Sequence, residues 1–143
     1  MQNDTVDTLN GFLRGEISAV ETYRQAIEKL HTTSYSAELE NCHRSHEQRV
    51  QLLRDQVRTM GGTPAEGSGA WGGFARLVEG GAKLFGEKAA IAALEEGEDH
   101  GLELYRKELE KLDARTRALI EHTVLPAQVQ THRALSSLKH SLH

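Results

Sequence analysis

Glu16 and Glu98 are the first residues of this 143-residue chain whose type and surroundings suggest chemistry. Each follows a glycine and stands seven positions before a tyrosine, in Gly15-Glu16 with Tyr23 and in Gly97-Glu98 with Tyr105. The two segments lie 82 residues apart, and eight of the sixteen positions from 15 to 30 are identical in the copy, which marks an internal repeat. Apolar residues at helical spacing (Leu9 and Tyr23 around Glu16; Ile91, Leu94 and Tyr105 around Glu98) put both carboxylates on the inner stripe of a helix. A carboxylate in an apolar interior is costly without a cation, a metal or several hydrogen bonds. A matched pair therefore predicts either metal ligation or a compensated polar layer.

Candidate partners come from two further stretches. His46 and Arg49 fall among Cys42 and Leu53, and Gln128 and His132 lie between Leu125 and Leu135. Taking Thr33 as the middle of a turn, equal rise per residue brings Glu16 and Arg49 to within roughly 1.5 Å in height. Counted from Asp113, Glu98 and Gln128 are level, and His132 is one turn further, roughly 6 Å away. Two readings stay open. In one, Glu16, His46, Glu98 and His132 supply two oxygens and two nitrogens to one iron, manganese or zinc ion. In the other no metal binds: Glu16 pairs with Arg49, Glu98 bonds Gln128 or a histidine, and Tyr23 and Tyr105 complete a polar layer. Cys42 reads as a small core residue.

The elements that must position these groups are helices, since no sustained two-residue alternation argues for strands. The spacing predicts helices over about 5–31, 37–60, 87–112 and 114–141, within one domain spanning 1–143. Asp4 or Asp7, Ser36 and Asp113 are the candidate caps. Gly61-Gly62 ends the second helix ahead of Pro64. Pro126 removes a backbone donor inside the fourth pattern and predicts a kink there. Short connections make two antiparallel hairpins, joined by a long glycine-rich crossover over 61–86. Trp71, Phe74, Leu77, Val78 and Phe85 predict a short extra helix within it.

The Gly-Glu16-x-x-Ala19-x-x-x-Tyr23 segment and its copy at Glu98 resemble motifs of ferritins, bacterioferritins and rubrerythrins. The chain as a whole, with its Gly-Gly-x-Pro and Gly-Ser-Gly-Ala-Trp segments, most resembles a bacterial ferritin-like family of unknown function. The resemblance implies an all-α, ferritin-like four-helix bundle with an internal dinuclear metal site, in which two helices each add a Glu-x-x-His pair. Counting back from Gly61-Gly62-Thr63-Pro64, that pair falls on His46 and Arg49, and an arginine does not ligate a metal. On the fourth helix the histidine position falls on His132, with Val129 three residues earlier. Glu40-Asn-Cys-His43 spells the motif but lies almost two turns from the expected level.

Two-metal oxidase chemistry, and any catalytic residue, is therefore not expected. The expected function is a ferritin-like protein that binds one transition-metal ion in metal handling or oxidative stress, with a non-catalytic assembly module as the alternative. A homodimer is the expected assembly, because bundles of this length bury leftover apolar surface by self-association. Seventeen basic against twenty-one acidic residues, with no basic run, argue against nucleic acid. No apolar run approaches the roughly 20 residues of a spanning helix, so no membrane role is expected. The single cysteine and the polar N-terminus predict a cytoplasmic location.

Overall fold

The computed structural model describes residues 2–30, 34–69 and 86–141, whose regular elements are all helical, with no strand among the described residues. Helix α1 spans Gln2–Leu30, α2 Ser36–Thr59 and α3 Glu87–Glu108, followed by a 3-10 turn over Leu109–Lys111. Helix α4 runs continuously through Ala114–Leu119, a π-turn at Ile120–Val124, and Leu125–Ser141. The segment expected to hold the crossover helix, including Trp71 and Phe74, lies outside the described residues.

The inner stripes assemble into two apolar clusters with a polar layer between them. One cluster joins Tyr23, Ala26 and Leu30 of α1 to Leu39 and Cys42 of α2, Ile91 and Leu94 of α3, and Leu135 of α4. The other joins Leu9, Phe12 and Leu13 to Leu53 and Val57, Tyr105, Ile120 and Val124. Each fully buried large apolar side chain contributes about 1.5–3 kcal/mol, so these clusters dominate the packing. The pairings also fix direction: α1 and α4 run one way, α2 and α3 the other. Tyr35, just before α2, donates to Glu87 at the start of α3 at 2.7 Å, which pins those two starts together.

Because α2 and α3 are parallel, the chain must travel back along the bundle between them. Gly61, at φ +80, lets α2 end by bonding Gly61 N to the Arg58 carbonyl and Gly62 N to the Val57 carbonyl. The chain then follows α1. Asn10 donates to the Thr63 carbonyl at 3.0 Å and accepts from Ala65 N at 2.8 Å. Ser68 reaches Glu21 at 3.5 Å.

Three local expectations are corrected. Asp4 and Asp7 lie inside α1 rather than capping it, and the residue ahead of α2 is Tyr35, with no side-chain cap bond. The third helix stops at Glu108 instead of 112, tightening into the 3-10 turn before Asp113. The disturbance expected at Pro126 takes the form of the preceding π-turn, where Leu125 N bonds the Ile120 carbonyl, and the wider turn absorbs a residue that cannot donate. Asp113 does cap the last helix, accepting from Thr116 N at 2.8 Å.

Candidate functional site: a buried, charge-balanced layer

Between the two apolar clusters, all four helices turn a polar side chain inward. Glu16, His46, Arg49, Glu98, Gln128 and Thr131 are each 4% exposed or less. His46 lies between the two acids, its Nδ1 at 2.5 Å from Glu16 Oε1 and its Nε2 at 2.7 Å from Glu98 Oε2. Both ring nitrogens face carboxylate oxygens, and Nε2 also lies 3.4 Å from Arg49 Nη2; the two acids favour the imidazolium, whose two N–H groups can both donate. Arg49 donates to Glu16 Oε2 at 3.2 Å, to Gln128 Oε1, to Thr131 Oγ1 at 2.9 Å and to Ser45 Oγ at 3.1 Å.

Helix α4 relays the arginine to the second acid. Gln128 Nε2 donates to Glu98 Oε1 at 2.9 Å, and Thr131 Oγ1 donates to the same oxygen at 2.7 Å. The tyrosines cross between the hairpins: Tyr23 of α1 donates to Glu98 Oε2, and Tyr105 of α3 to Glu16 Oε2, both at 2.5 Å. All four carboxylate oxygens therefore hold at least one donor. With His46 protonated, two acids face two cations and the layer is neutral.

The electrostatics follow from this arrangement. Burial pushes the Glu16 carboxyl up, but the Arg49 and His46 charges and the bonds from His46 and Tyr105 outweigh it and hold the group at about 2. Burial likewise raises Glu98, and the His46 charge with bonds from His46, Tyr23 and Thr131 brings it below its ordinary value. His46 is lowered by burial and raised more by Glu98 and Glu16, for a net rise. Both tyrosines sit well above their ordinary 10, through burial and the adjacent acids. Burial, with Glu98 nearby, pushes the Cys42 thiol up to about 12, which leaves it an inert core group.

The sequence candidates divide cleanly. Glu16, His46, Glu98, Arg49, Gln128, Tyr23 and Tyr105 come together in one layer. His132 does not join them: it is one residue past Thr131, about 100° round the helix, and its ring bonds Asp99 on the outside of the bundle. Thr131 takes the inward place. The signal that finds Thr131 is the repeat itself, carried from the first helices of the hairpins into the second: His46 and Gln128, and Arg49 and Thr131, are 82 residues apart like Glu16 and Glu98. Leu53 and Leu135 keep the same offset, whereas Leu39 and Ile120 are 81 apart. The π-turn supplies the extra residue.

A family described as a domain of unknown function (DUF2383) matches residues 4–111. The chain belongs to that family. No curated protein and no solved structure matches it. The match takes in α1, α2 and α3 and stops before α4, so Glu16, His46, Arg49 and Glu98 lie within it, and Gln128 and Thr131 beyond it.

The donor set does not fit a metal centre. Glu16 and Glu98 bind opposite nitrogens of one imidazole, so no single His46 nitrogen meets both acids, and the ring fills the space between them. Arg49 adds a permanent positive charge 3.2 Å from Glu16. The cavity beside the layer lies between α1 and α3, where Gly15, Ala19, Gly97 and Gly101 present almost no side chain. Its volume of about 40 Å³ admits water but falls far below the several hundred Å³ of ordinary ligand pockets.

Proposed function

We propose that this protein is a non-catalytic, ferritin-like helical module whose interior carries its own cations, His46 and Arg49, where related bundles place metal ions. The observation that carries this reading is the saturation of both carboxylates: every oxygen of Glu16 and Glu98 already accepts from a side chain of the layer. The arrangement of the helices supports the ferritin likeness, since α1 and α4 oppose α2 and α3. So does the placement of the inward residues. Glu16 and Glu98 sit on one helix of each hairpin, and the i,i+3 pairs His46/Arg49 and Gln128/Thr131 occupy the other, where di-metal bundles put Glu-x-x-His. On this reading the layer fixes helix register, and the protein acts through its outer surface on itself or on another protein.

The test compares wild type with Glu98→Gln, which keeps size while removing one inward charge and turning one accepting oxygen into a donating amide. Thermal unfolding of both is followed with and without Fe(II), Mn(II) and Zn(II), and with chelator. A metal-free layer predicts a fixed cost for the substitution, up to about 3–5 kcal/mol for breaking a buried charge pair, independent of metal. A ligand role predicts instead that metal at a hundredfold excess over Kd stabilises wild type by about 2.7 kcal/mol and that Glu98→Gln abolishes the gain. That outcome would replace this proposal with a single-ion site.

A further inference from the structure

His132, turned away from the buried layer, enters a second group of ligating side chains on the outside of the α3–α4 hairpin. Its Nε2 bonds the Asp99 carboxylate and stands 4.0 Å from Glu95 Oε2. One atom from each of Glu95, Asp99 and His132 lies within 4.8 Å of the other two. Unlike the core acids, which sit on opposite sides of a ring, these two carboxylates face the same nitrogen. Glu95 and Asp99 are one turn apart on α3 and share a face, and His132 meets them from α4, so regular helices hold all three. Side-chain exposures of 15% for Glu95, 24% for His132 and 50% for Asp99 leave the outer side open to water.

The internal repeat shows what packing alone requires here. The corresponding places 82 residues earlier hold Leu13, Ile17 and Val50, all part of an apolar cluster. The second hairpin has an acid, an acid and an imidazole in place of all three.

We propose that Glu95, Asp99 and His132 form a surface site for one divalent first-row transition cation. Water completes its coordination shell. One imidazole nitrogen and two carboxylate oxygens match the ligand preferences of Zn²⁺ and Co²⁺, and two negative charges with a neutral ring answer a 2+ ion. Lys139 Nζ stands 3.5 Å from Glu95 Oε1 and Ser136 donates to Glu95 Oε2 at 3.3 Å; both orient the acid, and the lysine charge opposes the ion. The site is exchangeable rather than structural, because three ligands and open water hold the ion. It stands apart from the buried layer and does not depend on how that layer is read.

Co²⁺ and Zn²⁺ are titrated into the full chain made without an affinity tag, followed by calorimetry and the visible Co²⁺ spectrum. The expected result is one ion per chain, with His132→Ala and Asp99→Asn each weakening binding about tenfold or more. Lys139→Ala should tighten it several-fold, a gain that a purely structural ion pair does not produce. Glu98→Gln and His140→Ala should leave it unchanged, which separates this site from the core and from the C-terminal histidines. Binding unaltered by His132→Ala, a Lys139→Ala variant no tighter than wild type, or no binding at about 1 mM metal overturns the proposal.

Discussion

Glu16 gives up water for three partners, His46, Arg49 and Tyr105, and its carboxyl is held at about 2 by the two cations and the bonds, against the cost of burial. A depressed carboxyl stabilises the fold above its unfolded value and loses that contribution as pH falls through the folded one. For Glu16 the loss runs from 4.5 down towards 2, and Glu98, also lowered from 4.5, loses its contribution in the same direction. His46 has the opposite sign. Its pKa is raised from 6.5, so its contribution is complete below 6.5 and is lost as pH climbs through the folded value above it. As far as the layer governs it, stability should peak between 4.5 and 6.5. Glu16→Gln should cost about 3 kcal/mol near neutrality, because it leaves His46 and Arg49 under-compensated, and should flatten the acid limb. Urea denaturation across pH checks both; an acid limb identical in wild type and variant would remove Glu16 as its origin.

Two glycines in the middle of helices make opposite cases at the scale of the element. A Cβ on Gly11 of α1 meets nothing within 4 Å, so Gly11→Ala should stabilise by about 0.5–1 kcal/mol through helix propensity alone. A Cβ on Gly101 of α3 would lie 2.8 Å from Gln128 Nε2 and 3.3 Å from its Cδ. Gln128 cannot swing aside without dropping its bonds to Glu98 and Arg49, so Gly101→Ala should destabilise by about 1–3 kcal/mol despite the same propensity gain. Melting temperatures moving the same way for both variants would contradict this. The helices themselves were legible because apolar spacing survives in all four, and Asp113 was legible because its side chain does bond Thr116 N. The start of α2 was not: Ser36 has the right chemistry for a cap, but the chain is already helical there. Pro126 was legible as a disturbance, yet a π-turn has no local sequence signature and appears only as the slip from 82 to 81 between Leu39 and Ile120.

Across the whole molecule the repeat relates not only Glu16 to Glu98 but the entire layer, although residue identity is kept only in the first helix of each hairpin and is replaced in the second by position alone. Residue type favours His132 for the inward place, but geometry puts Thr131 there, because a helix position is decided by angle before chemistry. The repeat also raises a problem that the layer resolves. Two hairpins so alike in shape can pair with copies of themselves as readily as with each other. Their buried charges differ: the first carries Glu16, His46 and Arg49, net positive by one, and the second carries Glu98 with neutral Gln128 and Thr131, net negative by one. Pairing unlike hairpins leaves a neutral layer, whereas pairing like ones buries two uncompensated charges of one sign, a state that costs several kcal/mol. The same charges permit two chains to exchange hairpins, which is one route to the expected dimer and is checked by light scattering of the intact protein. Residues 1–69 and 86–143 prepared as separate chains should therefore gain helicity on mixing, with a maximum at equal proportions, and the mixed complex should dissociate at least about tenfold more weakly than either self-pair. Combining Arg49→Met with His46→Gln leaves the first hairpin negative, and that version should lose its preference for the second. If each fragment associates with itself as tightly as with the other, the buried charges do not choose the partner, and shape alone sets the pairing.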